Sequence, residues 1–337
     1  MVAGNLCGVE CRATGERVVR PLGVRSWSTL LLLLTVSCGR ATAPRPPEQP
    51  PSGPGGREVV SAQVRAELHG SGPRAYWLFE PAGPTPPTAP LIVFNHGWGA
   101  MDPRAYRAWI NHIVQRGNIV VYPLYQDSLR TPVNTFTPNA IQAVQDSIRT
   151  LQTETGHVRP QLDKFAIVGH SMGGPISANM AALWTTQGLP SPLALMCVEP
   201  GKTWGKTWAA IELADLKQIP AATLLLTVVG DHDRLVRDID AKRIFNESTG
   251  VPLRNKNFIT LVSDDHGRPA LDANHLAPVA VNALEYFGLW KLFDGLTDAA
   301  FYHTNRNYAL GDAPEQRFMG IWSDGVPVKP LRVTDHP

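Results

Sequence analysis

This sequence of 337 residues is short of cysteine, of charge and of long apolar runs. Only Cys197 of its four cysteines lies beyond residue 38, so no disulfide is expected within the remainder. Charged residues make up 18% and the formal net charge is +2, without the clustered Lys and Arg that phosphate-backbone binding needs. The lack of basic clusters excludes nucleic acid as an expected partner. No apolar stretch reaches the roughly 18 residues of a membrane-spanning helix.

The longest apolar stretch has the length of a secretory signal. Trp27 to Val36 follows Arg20 and Arg25, as the apolar region of an export signal follows its basic region. The small residues before Cys38 resemble the lipobox of bacterial lipoproteins, which implies lipidation of Cys38. The pattern therefore predicts an exported, lipid-anchored extracytoplasmic protein, and the alternative is an ordinary cleaved signal with a secreted or periplasmic product.

Composition divides the chain into three parts. Residues 1–57 hold the signal and, from Ala41 to Gly56, a stretch dense in Pro and Gly that predicts a disordered tether. Residues 58–293 carry the apolar patterns of one folded domain. Residues 294–337 contain Trp, Phe and Met without a clear period, and we expect this extension to pack on the domain.

Short apolar runs alternate with helical patterns throughout the central part, which predicts an α/β fold with a mostly parallel sheet and helices on both faces. The cap signals Asp102-Pro103 and Thr137-Pro138 open two of the helices, and two more are expected over 172–186 and 278–293. The predicted strands are 59–68, 75–79, 91–94, 119–122, 164–168, 193–198, 222–229 and 258–262.

A Gly-x-Ser-x-Gly pattern lies between one of these strands and the helix that follows it. In Gly169-His170-Ser171-Met172-Gly173 the two glycines permit a tight turn that would lift the Ser171 hydroxyl above the sheet. The same turn directs the Met172 amide, at a helix N-terminus, toward a developing oxyanion. The pattern predicts that Ser171 is a nucleophile.

With the strand order around it, this motif resembles the α/β-hydrolase superfamily. Within the superfamily it is most similar to the dienelactone-hydrolase-like branch, which includes cutinases, polyester hydrolases and some acetylhydrolases. The resemblance covers roughly residues 58 to 293. It implies an α/β-hydrolase fold and a Ser–acid–His triad in that chain order.

The second oxyanion donor is expected in the loop after the strand 91–94. Asn95-His96-Gly97-Trp98-Gly99 is similar to the His-Gly-x motif of esterases, and the likeness implies that the Trp98 amide is the donor. The alternative is a core tryptophan in a Gly-flanked turn. His96 is interpreted as a residue that braces the loop.

The acid and the base each have two candidates. The resemblance selects Asp233, three residues past Gly230, as the acid, and Asp231 is the alternative. For the base, His266 follows the last strand as closely as the histidine of polyester hydrolases does, and we prefer it. His275 remains the alternative, because His-Leu-Ala-Pro is similar to the His-Phe-Ala-Pro of the family.

The predicted function is hydrolysis of neutral carboxylic esters, small or polymeric, through an acyl-enzyme. The segment Glu199 to Ala221, with Trp204 and Trp208, has room only for a minimal cap, which favours an open site. No cofactor is implied, and no metal is predicted because paired Cys and His-Glu-x-x-His spacings are missing. The alternatives are a serine hydrolase acting on an amide, thioester or lactone, and a lipid-anchored binding protein without turnover.

Overall fold

The computed structural model describes residues 43–202 and 210–337. The predicted signal, with Cys38, lies outside the described residues, as do Trp204 and Trp208. Among the described residues, no helix is both long enough and apolar enough to cross a membrane.

A nine-stranded sheet forms the centre of residues 43–337, with the strand order β1-β2-β4-β3-β5-β6-β7-β8-β9. The pairs β1/β2, β2/β4 and β8/β9 are antiparallel, and all other neighbours are parallel. The predicted mostly parallel sheet is therefore confirmed. The strands are β1 (Gln63–His69), β2 (Tyr76–Ala82), β3 (Thr88–Asn95), β4 (Ile119–Pro123), β5 (Arg159–His170), β6 (Ala194–Val198), β7 (Leu224–Gly230), β8 (Lys256–Leu261) and β9 (Arg332–Thr334).

Helices cover both faces of this sheet, as the apolar runs predict. Successive side chains of a strand point to opposite faces, so Ile92 and Phe94 of β3 join one apolar core, while Leu91 and Val93 join the other. The first core includes side chains of α1 and α5, and the second includes side chains of α2, α3 and α4. The helices are α1 (Arg107–Gln115), α2 (Phe136–Thr153), α3 (Gly173–Ala182), α4 (Ile239–Glu247), α5 (Lys291–Tyr302) and the short α6 (Pro314–Arg317).

The last long helix differs from its prediction. In place of one helix over 278–293, the chain forms a 3-10 turn, then a π-helix over Leu284–Trp290, and then α5. The start is fixed by Asn282, whose side-chain oxygen accepts a hydrogen bond from the Leu284 amide at 2.8 Å. Such a side-chain acceptor satisfies an amide that has no partner inside the helix, so the helix begins here rather than at Pro278.

Residues 43–56, here named the N-terminal strap, differ from the disordered tether that their composition predicts. The strap has no helix or strand, yet its backbone is hydrogen-bonded to the domain. The Gly55 amide donates to the buried Asp294 carboxylate at 2.7 Å, and that carboxylate also contacts His112 at 2.8 Å. The Arg45 amide donates to the Ser323 hydroxyl at 2.9 Å. These tertiary contacts, which composition does not reveal, hold the strap against the domain.

The C-terminal extension from Asp294 to Pro337 contributes to the sheet and to the core. Its strand β9 pairs with β8, and Trp322 is 1% exposed. The Trp322 indole N–H donates to the Asp264 carboxylate at 3.0 Å. These contacts tie the extension to the loop that follows β8.

A buried lysine fastens the extension from inside. Lys291 is 3% exposed, and its ammonium group donates hydrogen bonds to the backbone carbonyl groups of Glu315, Gln316 and Phe318 at 3.0, 2.8 and 2.6 Å. Burial lowers the pKa of Lys291 to about 7. Because all three of its hydrogens have acceptors, the amine is fully satisfied without a counter-ion.

Candidate active site

The turn between β5 and α3 holds Ser171 in a strained backbone conformation. Its φ of +55° lies in the left-handed region, which a side chain other than glycine seldom adopts. A Cβ atom at Gly169 would collide with the Gly173 backbone, and one at Gly173 would collide with the Asn95 carbonyl group. The two glycines are therefore required by the closeness of neighbouring backbone, and the turn has the geometry of a nucleophile elbow.

Three side chains from three different loops meet at this turn. Nε2 of His275 lies 3.0 Å from Oγ of Ser171, and Nδ1 of His275 lies 2.8 Å from Oδ2 of Asp233. Since a carboxylate only accepts hydrogen bonds, the ring donates its Nδ1–H to Asp233 and leaves Nε2 free to accept the Ser171 hydroxyl proton. This is the spatial arrangement of a nucleophile, a general base and an acid that orients the base.

Asp233 is held in its ionised form by several donors. Its side chain is buried, and burial favours the neutral carboxyl group; the hydrogen bond from His275 and its charge act in the opposite direction. The amides of Leu235 and Val236 also donate to Oδ1, at 2.8 and 3.2 Å. Together these donors hold the pKa of Asp233 below its ordinary value.

The preference for His266 as the base needs a correction, because the structure carries that residue away from Ser171. Nε2 of His266 lies 2.8 Å from Oδ2 of Asp324 in the C-terminal extension. The chain after β8 folds back on itself through a bridge between Asp264 and Leu271. The returning segment, and not the outgoing one that holds His266, then brings His275 beside Asp233.

Asp231, the alternative acid, does not approach the base. Its Oδ1 atom accepts hydrogen bonds from the amide and the hydroxyl group of Ser263 at 2.9 and 2.6 Å. Neighbouring His232 pairs with Asp272 at 2.7 Å on the surface. Asp231 therefore braces the loop after β8, and neighbouring His232 is engaged with Asp272 rather than with Ser171 or His275.

The loop after β3 lies directly against Ser171. A Cβ atom placed on Gly97 would lie 3.3 Å from the Ser171 Cβ atom. The amides of Gly97 and Gly99 have acceptors, namely the Tyr106 hydroxyl group at 3.0 Å and the Gln126 side chain at 2.9 Å. Trp98 lies between them with its side chain 54% exposed, so the indole is at the surface and not in the core.

Met172 lies on the other side of Ser171, at the N-cap of α3. Amides at the first positions of a helix have no acceptor within that helix, and the helix dipole makes this end attractive to negative charge. The loop after β3 and the start of α3 thus flank the Ser171 hydroxyl group from two sides.

His96 is a buried support of the loop after β3. Its ring stacks on that of Tyr125 with centroids 4.1 Å apart, and its Nε2–H donates to the Leu124 carbonyl group at 2.9 Å. Burial lowers the pKa of His96 to about 4, which keeps the ring neutral. Tyr125 is fully buried as well, and its hydroxyl group donates to the His96 carbonyl group, so both side chains support this loop.

Glu199 is a site residue that sequence reasoning did not single out. It follows the last residue of β6, is 0% exposed and has a φ of +44°. One of its carboxyl oxygens lies 3.3 Å from Nε2 of His170 and 3.8 Å from Nδ1 of His275. The signal available in the sequence was its position at the carboxyl end of a parallel strand, where polar residues of α/β proteins meet.

Burial and the nearby charge of Asp233 raise the pKa of Glu199 well above its ordinary value. The neighbouring His170 has its pKa lowered to about 3 by burial and by the proximity of His275. Its Nε2–H donates to the His275 carbonyl group at 3.0 Å, and its Nδ1 accepts from the Tyr106 hydroxyl group at 2.7 Å. Neutral His170 thereby links the His275 backbone, through the Tyr106 hydroxyl group, to the loop after β3.

Comparison with known families found a match to one part of the chain. Residues 54–210 match the family model described as Chlorophyllase, a family of serine esterases of the α/β-hydrolase type. The mostly parallel sheet with helices on both faces is an α/β fold that is consistent with this family. The matched part, just under half of the chain, contains Trp98, Ser171 and Met172, whereas Asp233 and His275 lie beyond it. The finer likeness to the dienelactone-hydrolase-like branch stays a prediction.

The family match supports an activity of the carboxylic ester hydrolase kind. The comparison with curated proteins found no match.

Proposed function

We propose that this protein is a serine esterase of the α/β-hydrolase type that cleaves neutral carboxylic esters through an acyl-enzyme. The observation that carries the proposal is the continuous hydrogen-bonded series from Ser171 through His275 to Asp233, with distances of 3.0 and 2.8 Å. A nucleophile and a base within hydrogen-bonding reach, with the base oriented by a carboxylate, is the arrangement that nucleophilic acyl transfer requires.

In the proposed reaction, Oγ of Ser171 attacks the ester carbonyl carbon while Nε2 of His275 takes the hydroxyl proton. The oxyanion accepts hydrogen bonds from the amides of Trp98 and Met172. His275 then gives its proton to the departing alcohol, which leaves an ester on Ser171. Water attacks this acyl-enzyme, its proton passes to His275, and the acid is released as Ser171 regains its proton. Asp233 stabilises the protonated ring in both halves.

The proposed substrates are neutral esters, either small or presented on a polymer. Trp98 lies in the loop after β3 and Leu129 lies beside Gly99 of the same loop. These two residues are 54% and 60% exposed and offer apolar surface to a substrate. The segment between β6 and β7 is too short for a large lid, so a bulky ester can reach Ser171. No cofactor takes part in the proposed steps.

The proposal predicts that Ser171→Ala abolishes covalent labelling by a fluorophosphonate probe and reduces turnover of p-nitrophenyl butyrate by roughly 10³-fold or more. Ser177→Ala is the matched control, because Ser177 is a buried serine in α3 whose hydroxyl bonds the Gly173 carbonyl group at 2.7 Å. Labelling that persists in Ser171→Ala would place the nucleophile elsewhere.

A panel of p-nitrophenyl esters, a thioester, a lactone and an anilide separates the esterase from its nearest alternatives. We expect esters to be turned over and the anilide to be cleaved at least about 100-fold more slowly. Anilide turnover without ester turnover would replace the esterase by an amidase. An intact site that turns over none of these substrates would favour the lipid-anchored binding protein.

We also propose that the protein is exported and anchored through a lipid on Cys38. The supporting pattern is the apolar stretch Trp27 to Val36 followed by small residues and a cysteine. Cys38→Ala should move the protein from the membrane fraction to the soluble fraction, because a protein without its acyl chains loses the apolar anchor. Membrane association that does not change in this variant would reject lipidation at Cys38.

A further inference from the structure

A second group of histidines and carboxylates lies at the β1 side of the sheet, away from Ser171. Glu67, His69 and His157 each offer one ligand atom, and the three atoms lie within 4.8 Å of one another. In the sheet order, β1 is separated from β5 by three strands, or about 19 Å at the usual spacing. We propose that these side chains bind a divalent transition-metal ion, with Zn²⁺ as the ion that suits them best.

The surroundings of His157 are those of a metal-binding histidine. Its Nδ1 atom lies 2.8 Å from the Oε2 atom of Glu80, whose side chain is almost fully buried, and 3.1 Å from Nη2 of Arg65. Arg65 donates to the same Glu80 oxygen, and a carboxylate can only accept, so with its Nδ1–H directed to Glu80 the ring presents an unprotonated Nε2 on its other side. Histidine ligands usually donate their second ring N–H to a carboxylate, which fixes the tautomer and the orientation of the ring. Glu80 is itself fixed by the Val158 amide at 2.7 Å and by Arg65.

His69 supplies the second nitrogen. Its Nε2 atom is buried from solvent and has no hydrogen-bond partner among the described residues. The ring is held by stacking on Tyr76, with centroids 5.3 Å apart and planes inclined by 6°. An unsatisfied buried ring nitrogen normally costs about 1–3 kcal/mol. A metal ion would accept the lone pair of this nitrogen and remove the penalty.

Carboxylates complete the ligand set. Oε2 of Glu67 lies 3.9 Å from Nε2 of His69, and Oε2 of Glu154 lies 4.0 Å from Nε2 of His157. In a tetrahedral zinc site, bonds of about 2.0–2.1 Å put neighbouring ligands roughly 3.3 Å apart. Both glutamates are more than half exposed, at 54% and 59%, so small rotations of their side chains close the remaining distance.

The charges around the cluster match a divalent cation. Glu67, Glu80 and Glu154 contribute three negative charges, and Arg65 contributes one positive charge, so the net charge is −2. Two imidazoles with carboxylate oxygens form a ligand set typical of zinc, and other late first-row ions such as Co²⁺ also bind it. The bound ion would join β1, at the edge of the sheet, to the segment between α2 and β5.

A second histidine–carboxylate group, formed by His170, Glu199 and His275, is also compact enough to hold an ion. There, however, both ring nitrogens of His275 are engaged, with Ser171 and Asp233. His170 likewise uses both nitrogens within the active site. The β1 cluster differs because Nε2 of His69 is buried and has no hydrogen-bond partner among the described residues.

The test is a titration of the tag-free, EDTA-treated full chain with Zn²⁺ by calorimetry and with Co²⁺ by visible absorption. We expect one equivalent to bind, with the absorption bands of a tetrahedral cobalt site and a Tm that rises with the Zn²⁺ concentration. His69→Gln and His157→Gln should each weaken binding at least 10-fold. Glu80→Gln should weaken it by about 10-fold or more through the loss of the orienting carboxylate.

Two controls distinguish this site from others. His336→Gln removes an exposed histidine, and His275→Ala removes a histidine of the other group, which lies in the active site. Both variants should still bind one equivalent of metal. Esterase activity and circular dichroism should be unchanged in the His69 and His157 variants. If either of these two variants fails to fold, the exposed Glu67→Gln variant replaces it.

No binding by the wild-type chain, or binding that both His69→Gln and His157→Gln retain, would overturn the proposal. Loss of the metal in His275→Ala alone would assign the ion to the active site and overturn it equally. Because none of these outcomes depends on ester turnover, the metal site and the proposed esterase succeed or fail separately.

Discussion

At the scale of single residues, His266 and His275 have opposite surroundings although they are nine positions apart. His275 is mostly buried, with Asp233 on one ring nitrogen and Ser171 on the other. His266 is 36% exposed and contacts Asp324 in the C-terminal extension. Only the first of them can exchange a proton with a serine hydroxyl group, so their roles in the proposed reaction separate cleanly by mutation.

We expect His275→Ala to reduce kcat for p-nitrophenyl butyrate by about 10³-fold or more, because the loss of the base leaves the hydroxyl group without a proton acceptor. His266→Ala should stay within about 3-fold of the wild type. Steady-state kinetics of both variants, and of Ser171→Ala/His275→Ala, provide the measurement. The double variant should be no slower than Ser171→Ala, since the two side chains act as one unit.

The reverse pattern, with a large loss in His266→Ala and a small one in His275→Ala, would reject the assignment made from the geometry.

The difference between these two histidines also shows which parts of the site could be predicted from the sequence. The position of Ser171 could be predicted because the glycines around it obey a local steric rule. The choice between His266 and His275 depends on the bridge from Asp264 to Leu271 and on the contact with Asp324, both made by tertiary packing. The only local signal was the His-Leu-Ala-Pro sequence that begins at His275, which kept this residue as a candidate but does not encode these contacts.

At the scale of elements, the strands were predictable and the last helical segment was not. The parallel strands are buried on both faces and appear in the sequence as continuous apolar runs. The π-helix Leu284–Trp290 has no such signature, and it buries an acidic side chain, Glu285, which is 1% exposed. Burial raises the pKa of Glu285 to about 8. The protonated form of this carboxyl group is therefore the one that suits the folded state.

This buried acid makes the stability of the fold dependent on pH. The unfolded chain releases the Glu285 proton at an ordinary pKa of about 4.3, whereas the folded chain keeps it up to about pH 8. The folded state thus binds more protons between these values, and the contribution of Glu285 to stability is full below about pH 4 and is lost as the pH rises toward 8.

Glu285→Gln, which stays neutral, should remove this loss. The Tm of the variant relative to the wild type should rise steadily between pH 5 and pH 9. At the upper end, the variant should gain a free energy of unfolding on the order of 1–3 kcal/mol over the wild type. Calorimetric scans at several pH values measure it, and the exposed Glu315→Gln variant is the control. A Tm difference that is constant with pH would show that Glu285 is ionised in the fold.

At the scale of the whole molecule, the N-terminal strap and the C-terminal extension both pack onto the central domain. Gly55 of the strap bonds to Asp294, and the extension adds β9 to the edge of the sheet. Neither segment was predictable in its details, because polar contacts hold the strap, and the extension is held by a strand pairing and by buried side chains that follow no periodic apolar pattern. The position of Gly55 offers a direct test of what the strap contributes.

Gly55→Ala should lower the Tm more than Gly53→Ala does. Both glycines have a left-handed φ, of +78° and +79°, so both substitutions carry a similar backbone cost of about 1 kcal/mol. Only at Gly55 would the new methyl group collide with the Tyr286 carbonyl oxygen; at Gly53 it would meet nothing within 4 Å. We expect an additional loss of roughly 1–3 kcal/mol at Gly55, measured by thermal unfolding. Equal Tm values in the two variants would mean that the strap does not stabilise the domain.

Lys291 has a practical consequence for following the extension in solution. Its amine is enclosed by three carbonyl groups of residues 315–318, which keep an acylating reagent away from it while the C-terminal segment is packed on the domain. Modification of this one lysine, followed by peptide mass spectrometry over time, would therefore report how often the C-terminal segment detaches from the domain.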